Sequence, residues 1–572
     1  MNVDQFKIFL RPTAVATALY VVSVGACLIA VGRPFLYALD DAYIHLALAR
    51  TLAETGVWGV QPGDPAAASS SPLWTLMLAA LASLPRVPAA FLAWWPLLLN
   101  LAFGAGLIVQ WNAILAGRAA WYRGVWASLA LVAGSILAGL TALTLIGMEH
   151  IAHMLICTAL VWAAARAISA ETAPADDKVP GPAAVGALAA LAVAARYESL
   201  FAVAPLMAFA AARGRPRLVA ALAVGAAAPV LGFGFYWTLH GGWMLPNSLL
   251  VKAVAPARAS GLGGLVVGIV QDLSTNLGHR ISTISLAAIS LFAATLAGLE
   301  WRRRRNPFDP RIILAVTTLC AAAIQMVLAS LGWLYRYEAW LIALGLISVA
   351  LLVPPLTTPE DATARRRSRW LVAAAVLVLA AVGLRAIRQA SDTILAIDDR
   401  RNEHLSVADF LRANYAGKLV VMNDVGLAAY QGGPRLLDIF GLADNAPVRL
   451  RRAGAYGPAQ VADLVANRRA SIAVMQVCWF EVWTRAPANW PLVEVWRIPR
   501  NTAFGDRDIG FFATSPAEVG PLKAALSRTP PPAKVQVLHP SALEWTTFLE
   551  AARAGGPIPP TSEICRTSPV RR

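Results

Sequence analysis

Long apolar runs alternate with short, arginine-bearing polar breaks from the start of the chain to about residue 388, where the pattern changes. A helix that crosses a bilayer takes about 20 largely apolar residues. Runs of this kind are read at roughly 13–34, 91–115, 125–146, 150–168, 183–197, 199–212, 216–238, 281–299, 311–331, 337–353 and 370–387, eleven in all. The stretch Ser71–Leu84 (SPLWTLMLAALASL) is apolar but too short to cross, and reads as a re-entrant or interfacial helix. From about residue 390, β-rich stretches at 418–422, 436–440, 471–476 and 492–498 are separated by helical patterns near 404–414, 458–467, 516–528 and 541–553. The expected fold is a polytopic α-helical membrane domain over 1–389, with a prominent loop at 35–90. A small α/β domain over 390–572 follows, ending in a Pro-rich tail. No whole-chain repeat and no inverted pair of Gly/Pro-broken spans is visible.

Composition agrees with a bilayer. The 572 residues are 58% hydrophobic and 14% charged, against about 25% charged in soluble domains. The net charge of +16 does not point to nucleic acid, because the basic residues sit in short clusters between apolar runs. Those clusters set an orientation. With Lys7 and Arg11 inside, Arg118 and Arg123, Arg166 and Lys178, Arg213 to Arg217, Arg302 to Arg305 and Arg365 to Arg369 all fall inside. Arg385 and Arg388 run against the scheme. An odd number of spans then exports the C-terminal domain, which places the chain in the cytoplasmic (inner) membrane. The first apolar run lacks a small-residue cleavage site and reads as a span. Cys27, Cys157 and Cys320 lie in apolar runs, whereas Cys478 and Cys565 lie in the exported part with no spacing that argues for a disulfide.

On this orientation the conspicuous polar residues gather at one face. Asp40 and Asp41 follow the first span, and Glu149 and His150 end the third. Arg196, Tyr197 and Glu198 fill one turn, and Tyr335, Arg336 and Glu338 another. Asn247, Ser248 and Lys252 occupy a further loop. Adjacent carboxylates repel, so a diacid suits a general base, or a base with a shared cation. The same residues also suit a helix N-terminus, where the backbone dipole favours Asp. His45 and His153 are single imidazoles on apolar faces and read as packed. Trp94, Trp95, Trp243 and Trp340 read as an interfacial belt, and Asp424 and Asp438 as turn or strand-end residues.

The stretch Asp40–Thr75 (DDAYIHLALARTLAETGVWGVQPGDPAAASSSPLWT) resembles the first outer loop of GT-C glycosyltransferases, most of all bacterial cell-envelope arabinofuranosyltransferases. The matching residues are Asp40, Asp41, Gly56, Trp58, Pro62, Gly63, Ser71, Pro72, Leu73 and Trp74. Further along, Gly147-Met148-Glu149, Leu245-Pro246-Asn247-Ser248 with Lys252, Arg336-Tyr337, Asn423-Asp424-Val425-Gly426 and Leu437-Asp438-Ile439-Phe440-Gly441-Leu442 resemble that family's later motifs in the same order. Arg196-Tyr197-Glu198 stands where the family often has Arg-Pro-acid, and Ala67-Ala68-Ser69-Ser70 replaces Glu-Gly-Tyr-Thr.

The resemblance implies an inverting transfer of a sugar, arabinofuranose being the first candidate, from a polyprenyl-phosphate donor to an acceptor hydroxyl. The acceptor would be an envelope glycan or an exported protein at the outer face of the membrane. Asp40 or Asp41 would be the base. Lys252, Arg336, Arg196 and Asn247 would bind the donor phosphate, and Glu149, Glu198, Tyr43 and Trp74 would position sugar or acceptor. A divalent cation is left open, with Asp41 and Glu149 as its ligands if one is used. The rival classes are a transporter or flippase of a lipid-linked or amphiphilic solute, and a non-catalytic assembly subunit. A transporter places ionisable groups near mid-membrane, whereas here they gather at one end.

Overall fold

In a computed structural model the protein is described at residues 3–85, 88–119, 121–170, 179–252, 269–270, 273–353, 362–477, 487, 489–503 and 505–553. Among these, eight helices are long and apolar enough to cross a membrane: Arg11–Val31, Phe91–Leu115, Gly124–Ile146, His150–Ile168, Pro216–Leu239, Arg280–Arg304, Pro310–Leu328 and Arg369–Asn414. Three of the eleven expected spans are shorter, at Pro182–Ala195, Tyr197–Ala212 and Ala339–Leu352. A 14-residue helix rises only about 21 Å, short of the roughly 30 Å hydrocarbon core. Their apolar runs were read through the polar turns that cap them. Pro72–Ala82 forms the short helix expected there, starting at Ser71, whose hydroxyl accepts from the Trp74 amide.

The two ends of the bundle are chemically unlike. At one end Glu300 accepts from Arg303, Arg304 and Arg311, Arg213 lies over the Phe308 ring, and the Ser169 hydroxyl donates to the Phe308 carbonyl. At the other end the turns after Val31, Ile146, Ala195 and Leu328 meet one another, and the first of them also meets the C-terminal domain. Arg385, which ran against the charge pattern, does not face solvent. It is buried in the bundle against Glu338, with Nε 3.1 Å from the carboxylate. Trp340 is likewise buried on Gln325 and His153 rather than placed in a belt.

The helix Ala362–Arg400 runs without a break through the 389/390 boundary expected from composition. A π-helical turn (Arg401–Leu405) and the helix Ser406–Asn414 carry it into the C-terminal domain. That domain is a six-stranded mixed sheet of β1 (Leu419–Met422), β2 (Arg435–Asp438), β3 (Ile472–Gln476), β4 (Leu492–Arg497), β5 (Asp508–Ala513) and β6 (Gln536–Leu538). The order is β2-β1-β3-β5-β4-β6; β2, β1 and β3 are parallel, and the other pairings antiparallel. The helices Pro458–Arg468, Val519–Arg528 and Ala542–Arg553 lie close to where periodicity put them, whereas β5 and β6 were not foreseen. The Pro-rich tail, Cys478 and Cys565 lie outside the described residues.

The 35–90 loop is the dock for this domain. Its helix Asp41–Thr55 lies beside the short helix Gly426–Gln431 and holds both ends of it. The Asp40 carboxylate accepts from the Gly426 and Leu427 amides at 2.5 and 2.8 Å, and the Arg50 guanidinium donates to the Tyr430 and Ala429 carbonyls at 2.7 and 3.0 Å. Acid at a helix start and base at its end is the arrangement the backbone dipole favours. Gln61 pairs in both directions with the backbone of Leu436, at 2.7 Å each way, and so covers the edge strand β2. Gly426 is required here, since a Cβ would meet the Asp40 carbonyl and carboxylate oxygens at 2.3 and 2.5 Å. Gly426→Val is expected to cost about 1–3 kcal/mol by overpacking, read as a lower unfolding midpoint and easier proteolysis between membrane and C-terminal domains.

Candidate active site

The two adjacent aspartates have different surroundings. Asp40 precedes the helix Asp41–Thr55 but makes no side-chain cap on it. Its carboxylate caps a helix 386 residues away, and the residue is 4% exposed. Burial, with the nearby charge of Asp424 second, pushes its pKa up to about 7. The Asp41 side chain is 24% exposed, and its carboxylate accepts from Arg336 Nη2 at 2.7 Å. A buried guanidinium at that distance favours the ionised carboxylate.

Arg336 is the centre of the constellation. Its Nη2 also bonds the Tyr337 hydroxyl at 2.9 Å, its Nη1 contacts Met148 Sδ at 2.9 Å, and its guanidinium lies 4.8 Å from the Tyr337 ring centroid. Arg196 lies 5.5 Å from the centroid of the same ring. It is paired with Glu149 at 2.5 Å and Glu198 at 2.6 Å, so this guanidinium is held between two acids. His45 Nε2 lies 3.8 Å from the other Glu149 oxygen, while its Nδ1 faces Thr75 and Ser69 at 3.2 and 3.3 Å. Three buried polar atoms here, Arg336 Nε, Glu149 Oε2 and His150 Nε2, have no hydrogen-bond partner among the described residues. Buried polar groups are normally satisfied, so these three atoms keep unused bonding capacity.

The turn that presents Arg336 is strained. Gly332, Trp333, Leu334 and Tyr335 all have positive φ, at 75, 48, 58 and 56°, and three of them carry side chains. Left-handed backbone costs a non-glycine residue about 1–3 kcal/mol. The surroundings hold it. Glu338 accepts from the Gly332 amide at 3.0 Å, Gln389 donates to the Leu334 carbonyl at 3.1 Å, and Arg385 donates to the Tyr335 carbonyl while pairing with Glu338.

The remaining residues read from sequence are placed elsewhere. Asn247 ties the loops together, donating to Asn445 Oδ1 and the Leu442 carbonyl. Tyr43 is buried between Tyr37 and Tyr430 and accepts from the Tyr37 amide, and Trp74 is 1% exposed in the core. Lys252 ends the helix Asn247–Lys252, and its side chain lies outside the described residues. His153 bonds the Ser199 hydroxyl at 2.9 Å. Asp438 holds the turn after β2 through the Phe440 and Ala443 amides. Asp41 and Glu149, the acids expected to hold a cation if one is used, each face an arginine at 2.5–2.7 Å. Sequence reading did not find His404 and Glu403, which lie on the π-helical turn and reach Asp424 and Gln476. No motif marks them; only Asn423-Asp424-Val425-Gly426 gave a signal nearby.

A family described as a domain of unknown function (DUF8728) matches residues 392–512, from the end of the long helix to β5. No curated protein matches the chain. Among solved structures, ArnT from Cupriavidus metallidurans in the apo state is 12% identical, covering 88% of this chain and 98% of its own, with a TM-score of 0.48. The same enzyme bound to undecaprenyl phosphate gives 12% and 0.43 over the same shares. An Archaeoglobus fulgidus oligosaccharyltransferase complex with Zn and sulfate is 12% identical over 94% of this chain and 76% of its own, with a TM-score of 0.43. The chain is thus a multi-pass helical membrane protein with a C-terminal α/β domain, docked on its first long loop through Asp40, Arg50 and Gln61.

Proposed function

We propose that the chain is an inverting glycosyltransferase of the GT-C kind, acting at the outer face of the cytoplasmic membrane. It would move a sugar, arabinofuranose first among the candidates, from a polyprenyl-phosphate donor to a hydroxyl of an envelope glycan or exported protein. The observation that carries this reading is the accessible Asp41 carboxylate, held 2.7 Å from a buried arginine beside three buried polar atoms with unused bonding capacity.

In this reading Asp41 takes the proton of the acceptor hydroxyl as its oxygen attacks the anomeric carbon. The bond from that carbon to the phosphate oxygen breaks, and the phosphate leaves with the electron pair. Arg336 has two tasks. Its Nη2 keeps Asp41 ionised, and its Nε–H is available to an oxygen of the departing phosphate. Glu149 Oε2 and His150 Nε2 can bond sugar hydroxyls, and Arg196 holds Glu149 in place. Lys252 stays a candidate for the donor phosphate.

The test is incubation of purified protein with a panel of polyprenyl-phosphate sugars, arabinofuranose included, with an acceptor, followed by mass spectrometry. The expected result is loss of one lipid-linked sugar and release of polyprenyl phosphate. A transporter would leave every lipid intact, and intact donors across the whole panel would overturn the reading.

A further inference from the structure

Beneath the docked C-terminal domain, three segments far apart in the chain bring ionisable side chains together. Asp40 comes from the first loop, His404 from the π-helical turn after the last long helix, and Asp424 from the loop after β1. One donor atom from each lies within 4.8 Å of the other two. His404 Nε2 is 2.9 Å from Asp424 Oδ2 and 3.9 Å from Asp40 Oδ1. Donors around a tetrahedral ion with bonds of about 2.1 Å lie about 3.4 Å apart, so small shifts would suffice, outward for the His404–Asp424 pair and inward for His404–Asp40.

A second observation comes from Glu403. This residue is 2% exposed; its Oε1 accepts from Gln476 at 2.5 Å and lies 3.5 Å from His404 Nδ1, and its Oε2 has no hydrogen-bond partner among the described residues. A carboxylate on the far nitrogen of a histidine is the arrangement that orients a metal-binding imidazole. Glu403, His404, Asn423, Asp424 and Gln476 line one small cavity with room for a water-sized body. Asp40, Asp424 and Glu403 bring three acidic groups together, with Arg400 Nη1 2.6 Å from the His404 ring nitrogens. Asp40 uses one lone pair of each oxygen on the Gly426 and Leu427 amides and keeps others for a ligand.

We infer that Asp40, His404 and Asp424 bind one divalent transition-metal cation, Zn²⁺ or Mn²⁺, which cross-links the first loop, the long helix and the C-terminal domain. One imidazole with two carboxylates suits such an ion better than an all-oxygen Ca²⁺ or Mg²⁺ site. The ion supplements the helix clamp by fixing Asp40, and through it the neighbouring Asp41. The site does not depend on the proposed transfer reaction, and its test needs no activity measurement.

Full-length protein without a histidine tag would be washed with chelator, dialysed against Zn²⁺ or Mn²⁺ in turn, and its metal content measured by elemental mass spectrometry. The expected result is about one tightly held equivalent per chain and a metal-dependent rise in unfolding midpoint. His404→Ala and Asp424→Asn should abolish both. Glu403→Gln, which leaves every ligand in place, should weaken binding about 10–100-fold and serves if the ligand variants misfold. Asp41→Asn should bind as wild type does. The inference is overturned if wild-type protein retains neither ion, or if binding is indifferent to both His404 and Glu403. It is overturned equally if Asp41→Asn removes the ion.

Discussion

Asp41→Asn is expected to lower kcat/KM for sugar transfer about 10²–10⁴-fold, the usual contribution of a positioned general base. Asparagine keeps the shape and can still bond Arg336 through its carbonyl oxygen, but it cannot take a proton. The loss should fall on kcat, with donor binding nearly unchanged, because Arg336 still faces the donor phosphate. Asp40→Asn should behave differently. It weakens the cap on Gly426 and Leu427, where hydrogen bonds to a charged acceptor are worth about 1.5–3 kcal/mol. Its main effect should be a lower unfolding midpoint and looser docking of the C-terminal domain. Measuring transfer rate and unfolding for both variants separates the roles. If Asp40→Asn abolishes transfer in a fully stable protein while Asp41→Asn stays active, the base has been assigned to the wrong aspartate.

The second large effect is expected at the buried pair under the strained turn. Glu338 and Arg385 are both 0% exposed, so Glu338→Gln leaves an uncompensated guanidinium in the bundle at about 3–5 kcal/mol. The unfolding midpoint should fall by about 2–4 °C, because an unfolding entropy of about 2.1 cal/mol/K per residue gives a chain of 572 residues roughly 1 °C per kcal/mol. The left-handed turn Gly332–Tyr335 should then relax, Arg336 should leave Asp41, and transfer should fall with stability. Replacing both members of the pair with methionine distinguishes stability from positioning. An apolar pair of similar volume should restore much of the stability. It cannot accept from Gly332 or donate to Tyr335, so transfer should stay low. Full transfer in the double variant would show that the turn needs no such support.

What the sequence determined by itself was local. Apolar run length placed the spans, and short β-rich stretches placed β1 to β4, because burial in lipid or a sheet is written in neighbouring residues. It also singled out Asp40, Asp41, Glu149, Arg196 and Arg336, since charges beside apolar runs are costly and stand out. Arg385 misled as a topology signal because its partner Glu338 lies 47 positions away, and pairing across the bundle leaves no local mark.

The tertiary structure alone decided which aspartate is accessible. Successive residues at a helix start point about 100° apart, so Asp40 turns to the helix at Gly426 and Asp41 to Arg336. It also decided that Arg196 is held by two acids, and that His404 and Glu403 belong with Asp40. The pairings Arg196–Glu149 and His404–Asp40 join residues separated by tens to hundreds of positions. Side-chain partners across such separations are set by how helices and sheet pack, and packing has no period along the chain.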